Sequence, residues 1–128
     1  MSAQPDAYRG ALEAVDRILN REPEADEVLR QTVTALHDRL DHYTWVGLSF
    51  VEEGELALGP RRGTEGAGAE AVDIPVVYQG AHVATLSARS DRPFGSEDRA
   101  FLERVALLVS AHCLVGWDTG GVPWSDLD

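Results

Sequence analysis

YTWVGLSFVEEGELALGP, residues 43–60, is the stretch whose reading decides the fold. Its apolar positions alternate, which is the period of a strand and not of a helix. Val46, Leu48 and Phe50 point to one side; Trp45, Gly47 and Ser49 point to the other. The reading is a strand over about 44–51, a turn at Glu52-Glu53-Gly54 and a second strand over about 55–59. Gly54 supplies the positive φ that a tight hairpin turn takes, and Gly59-Pro60 ends the pairing. Leu56 and Leu58 are assigned to the core with Val46, Leu48 and Phe50.

Before this hairpin the period is helical. Tyr8, Ala11, Leu12, Val15, Ile18 and Leu19 share one stripe after Pro5-Asp6, and Asn20 closes it. A second helix starts near Pro23, where Glu24, Asp26 and Glu27 favour the positive helix end. Its stripe is Val28, Leu29, Thr32, Val33, Leu36 and Leu40.

After the hairpin, residues 61–71 carry three glycines and no large apolar side chain, the composition of a flexible loop. Strands follow at about 72–78 and 82–89, joined by Gln79-Gly80. Pro75 lacks an N–H, so its strand belongs at an edge or carries a bulge. In the last strand His82, Ala84, Leu86 and Ala88 share one face, with Leu86 assigned to the core, while Val83, Thr85, Ser87 and Arg89 share the other. Ser96 is the expected N-cap of a final helix running to about 115, with Glu97 and Asp98 in its first turn. Phe101, Leu102, Val105, Leu108, Val109 and His112 form its stripe. The tail, 116–128, has no period.

The expected fold is therefore one α+β domain over 1–128: helices in 6–40, an antiparallel sheet of about four strands in 43–90, and a helix at 96–115, all helices on one face. Formal net charge is −11, and all eleven cations are arginine. Such acidity repels phosphate backbones and anionic lipid, so neither nucleic acid nor membrane is an expected partner. No leader or spanning segment is visible in the sequence, and the single cysteine, Cys113, fits a reducing cytoplasm. One cysteine and four scattered histidines offer no metal-ligand spacing, and no serine sits in a nucleophile elbow.

The order of elements resembles the GAF domain, a small sensory module. Trp45-Val46-Gly47-Leu48 and Leu56-Ala57-Leu58-Gly59-Pro60 resemble its free methionine-R-sulfoxide reductase branch. Phe94, Glu97, Asp98, Arg99, Leu102, Glu103, Val105 and Ala106 match a helix start shared more widely among GAF domains. The resemblance covers roughly residues 8–112. It implies a GAF-like sheet, shortened here, with a ligand pocket on the face opposite the helices. It also implies a thiol relay, from which this chain departs: the segment that carries the reductase cysteines shrinks to residues 61–72, without cysteine, and Cys113 matches none of them. In the branch, acidic residues on the later strands hold the substrate ammonium. Their positions correspond here to Asp73, Ser87 and Arg89. A guanidinium there reverses the sign and favours a carboxylate or phosphate.

By strand parity Trp45, Ser49, Asp73, Ser87 and Arg89 converge on the face opposite the helices. They are the expected binding residues for a small anionic metabolite. No catalytic residue, cofactor or metal is expected. The function expected is a non-catalytic binding or regulatory module, with a homodimer through the terminal helices. The alternatives are a sulfoxide reductase-like oxidoreductase and a scaffolding domain with a closed pocket. The plain alternative for these positions is an open sheet face that merely tolerates polar residues, with Asp73 paired to Arg89 across neighbouring strands.

Overall fold

The computed structural model describes residues 4–21, 24–52, 55–64, 68 and 70–114. The elements run α1 (Gln4–Arg21), α2 (Ala25–Arg39), β1 (Tyr43–Glu52), β2 (Glu55–Gly63), β3 (Glu70–Tyr78), β4 (Ala81–Ser90) and α3 (Ser96–Val109), with a 3₁₀ turn at Ser110–Leu114. The strands form one antiparallel sheet in the order β2-β1-β4-β3. β3 is thus an edge strand, which accommodates Pro75 without losing a ladder donor. The α+β architecture of three helices and four antiparallel strands is the one expected from the sequence.

Val46, Leu48 and Phe50 of β1, Ile74 and Val76 of β3, and Ala84, Leu86 and Ala88 of β4 are buried on one sheet face. α2 packs on β1 and β2 with Leu29, Val33 and Leu36, and α3 packs on β3 with Phe101, Leu102 and Val105. α1 packs on α2 and α3; Tyr8 stacks on Phe101 with ring centroids 4.9 Å apart. The core therefore lies between the sheet and the helices, and among the described residues no helix or strand packs on the other sheet face, called the open face below. No described helix is long and apolar enough to cross a membrane.

The second strand departs from expectation in two ways. Its hairpin closes with Glu52 opposite Glu55, so Phe50 faces Ala57 and Ser49 faces Leu58. Leu58 consequently points to the open face and is 56% exposed, not a core residue. The Leu56 side chain and the Gly54 turn lie outside the described residues. Nor does Gly59-Pro60 end the strand. The register slips there by one residue and pairing resumes, Arg61 with Gly47 and Gly63 with Trp45. A bulge absorbs the missing proline N–H and lets residues 61–63 extend the ladder. Gly59 must be small because a Cβ would stand 2.4 Å from the Phe50 ring.

The helix boundaries shift slightly. The N-cap of α3 is Gly95, and Ser96 is its first helical residue. Asp98, at the third helical position, accepts the Gly95 N–H at 3.0 Å, which satisfies a donor the helix start leaves unpaired. The α-helical part of that element stops at Val109 and tightens into the 3₁₀ turn.

Candidate functional site

The antiparallel register brings the expected binding residues onto the open face in three successive rows. Trp45 stands opposite Arg89, and Gly47 opposite Ser87, which in turn faces Asp73. Ser49 stands opposite Thr85, one row on. Ser87 Oγ donates to Asp73 Oδ1 at 2.6 Å, a short charge-assisted bond across β4 and β3. Arg89 Nη2 donates to the Gly68 carbonyl at 3.0 Å, which ties its guanidinium to the segment preceding β3. The partner given to Asp73 is thus Ser87. The Trp45 ring does not project from the sheet: it lies across Gly47, where a Cβ would come within 2.4 Å of it. Gly47 is bare because the indole needs that backbone as a floor. The rows toward the β1–β2 hairpin are more apolar, with Leu58 56% and Val77 47% exposed.

A second polar constellation lies on the helix side and spans the chain. The Asp98 carboxylate receives the hydroxyl of Tyr8, and also Tyr43 Oη and His42 Nε2, both at 3.1 Å. With the Gly95 N–H it accepts four hydrogen bonds and is 5% exposed. Burial alone would raise its pKa; the bonds from Tyr8, Gly95, His42 and Tyr43 overcome that and hold it below the ordinary aspartate value. Tyr8 and Tyr43 are both raised, by burial and by the facing Asp98 charge. The cluster locks α1, the start of β1 and the start of α3 together. Sequence reasoning assigned Asp98 only to the helix end. The partners lie 90, 56 and 55 positions away, a separation that no local pattern carries.

Cys113 sits in the 3₁₀ turn, 1% exposed, within the core between sheet and helices. Burial pushes its thiol up to about 12. It lies on the opposite side of the sheet from the Trp45 ring. Among the described residues no group of three His, Cys, Asp or Glu side chains is arranged to hold a metal ion.

No protein-family model and no curated protein matches the chain. Solved structures do. The chain superposes on a free methionine-R-sulfoxide reductase from Neisseria meningitidis, in complex with its substrate, with TM-score 0.75 and 18% identity; the match covers 91% of this chain and 93% of that one. A putative GAF sensor protein from Burkholderia vietnamiensis gives TM-score 0.74 at 18% identity over 88% and 91%. The GAF domain of an Acinetobacter phosphoenolpyruvate-protein phosphotransferase gives 0.67 at 15% over 95% and 99%. At such identities the likeness is one of fold: the chain has a GAF-like fold, shared by sulfoxide reductases and by regulatory domains.

Proposed function

We propose that this chain is a cytoplasmic, ligand-binding regulatory module without thiol redox chemistry. The single observation that carries this reading is the position of Cys113. The reductase reading requires an ionisable thiol beside the ligand. Here the one thiol is buried under the helices, on the far side of the sheet from the open face, with its pKa pushed up to about 12. A buried thiol of that kind packs as a small apolar side chain. The ligand is a small metabolite lying against Trp45 and Ser49, its carboxylate or phosphate toward Arg89 and a donor toward Asp73 and Ser87. The module pairs with a second copy through α1 and α3, a surface on which Leu107 is 62% exposed.

The decisive experiment combines two measurements on the purified protein. Native mass spectrometry followed by titration is expected to find a small anionic ligand whose affinity falls on Arg89→Ala. A thiol-dependent assay with free methionine-R-sulfoxide is expected to give no turnover. Turnover that Cys113→Ser abolishes overturns the reading.

One observation favours a second reading, an interaction domain with no ligand. The Trp45 indole already covers Gly47, the residue expected to leave room on that face. Trp45→Ala separates the two: it weakens a ligand that stacks on the indole, and leaves partner binding through the helices unchanged.

A further inference from the structure

The outer faces of α1 and α2 leave a groove of about 460 Å³ between them, on the helix side of the molecule and away from the open sheet face. Arg17 and Arg21 reach it from α1, and Arg30 and Arg39 from α2. Four of the eleven arginines of a chain with formal net charge −11 thus share one groove. No carboxylate lines it among the described residues. Its floor is apolar: Ala14 and Ile18 are buried, with Ala35 beside them.

Two of the four cations are committed to local partners. Arg21 Nη2 donates to Gln31 Oε1 at 2.8 Å, Gln31 Nε2 donates to Glu27 at 2.7 Å, and Glu27 pairs with Arg30. This relay holds one end of the groove in shape. The Arg30 Nε–H, buried in its wall, finds no acceptor among the described residues. Arg39 turns back along α1, its Nη1 3.9 Å from where a Cβ on Gly10 would stand. Arg17 and Arg39 are exposed and make no ion pair among the described residues. Glu27 balances the charge of Arg30, and those of Arg17 and Arg39 stay unbalanced among the described residues, so the groove keeps an excess of at least two positive charges.

We propose that this groove is a binding site for a small polyanion, a molecule with two or more phosphate or carboxylate groups. Guanidinium forks match both oxyanions bidentately, and only a counter-anion relieves the repulsion among cations crowded over an apolar floor. The volume falls within the range of small-molecule sites. The acidic remainder of the surface repels a long phosphate backbone, while a compact polyanion meets only the local field. The site is independent of the open-face ligand and of Arg89.

Calorimetric titration of the full chain at low ionic strength, with pyrophosphate and separately with citrate, tests this. Saturable binding of pyrophosphate alone, citrate alone or both supports the site and assigns the anion class. The double variant Arg17→Gln/Arg39→Gln changes only exposed side chains and is expected to weaken binding about tenfold or more. Raising the salt weakens it in the parent. In the parent protein, pyrophosphate or citrate, whichever binds, is expected to protect Arg17 and Arg39 from phenylglyoxal modification, a readout that needs no variant. Failure of both probes to saturate overturns the proposal, and so does unchanged affinity in the double variant. A loss of binding on Arg89→Gln with the double variant unaffected moves the anion to the open face, and also overturns it.

Discussion

The Trp45 indole rests on the backbone of Gly47: a Cβ on that glycine would stand 2.4 Å from Cη2 and 2.7 Å from Cζ2 of the ring. The residues are two apart on one strand, so they share the open face, and the large side chain folds along the strand onto the one with none. The clash is with the far end of a side chain, not with backbone. The ring can yield, at the cost of the contact area it now covers.

Gly47→Ala is therefore expected to displace the indole and to destabilise the fold by about 1–2 kcal/mol. In a Trp45→Ala background the same change is expected to be neutral or stabilising, because alanine suits a strand better than glycine. Chemical denaturation of the two singles and the double closes the cycle. Equal Gly47→Ala effects in both backgrounds would break the account. Gly59→Ala is expected to cost more, since its Cβ would meet the Leu48 carbonyl at 2.6 Å as well as the Phe50 ring.

Gln79 and Gly80 join β3 to β4 with φ of 52° and 82°. Two consecutive positive φ values between antiparallel strands are those of a type I′ turn, which favours Asn-Gly. Gln79→Asn is expected to raise stability by about 0.5 kcal/mol, since asparagine enters the left-handed region more readily. Nothing lies within 4 Å of a Cβ at Gly80, so the loss on Gly80→Ala, about 1 kcal/mol, is conformational alone. Thermal melts of the two variants with opposite signs check the turn type.

The period-two run over Trp45 to Phe50 and the helical stripes made the element order and the open face legible before any coordinates. Leu58 was not legible, for a reason of register. A three-residue turn at Glu52–Gly54 would have put Leu58 opposite Leu48 and inside the core. The observed pair Glu52–Glu55 moves the closure by one residue and flips the strand. The slip at Gly59-Pro60 was hidden likewise: glycine and proline mark a break, but not whether pairing resumes. Ser87 and Asp73 could be placed on one face by parity, whereas their hydrogen bond required the β3–β4 register. The Asp98 cluster and the arginine groove depend on which helices touch, information that is spread over the whole chain.

Cys113 gives a kinetic prediction. With its thiol pushed up to about 12 and its side chain in the core, the native protein holds almost no thiolate at pH 8. A disulfide reagent such as DTNB is expected to react only as fast as the protein opens, and at once in denaturant. Cys113→Ser places a hydroxyl in that apolar site and is expected to cost about 1–3 kcal/mol. Rapid labelling of the native protein would show the thiol to be accessible and would remove the physical basis of the non-redox reading.

The same bookkeeping of protons sets the pH limits of the fold. Two groups fail on the acid side. His112 has its pKa lowered by burial, and its Nδ1 is buried without a hydrogen-bond partner among the described residues. The unfolded chain therefore binds this proton first, and stability declines as pH falls below the ordinary histidine value of about 6.5. Asp98 is also lowered: burial opposes this, and the bonds from Tyr8, Gly95, His42 and Tyr43 prevail. Its contribution is complete above the ordinary aspartate value of about 3.9 and is lost as pH falls through the lower folded one. On the alkaline side Tyr8 and Tyr43 are raised, by burial first and by Asp98 after it. The folded state keeps their protons when the unfolded state has released them, so stability declines above about pH 10. Denaturation from pH 3 to 11 is expected to show a plateau with a two-step acid limb. His112→Gln is expected to remove the step near pH 6 and leave the lower one. Asp98→Asn is expected to lower the plateau by about 2–4 kcal/mol and to flatten the limb below pH 4, because the amide cannot reproduce four charge-assisted acceptances. A variant that keeps the parent's full dependence below pH 4 would show that the acid sensitivity lies in other carboxylates and that Asp98 is not the knot joining α1, β1 and α3.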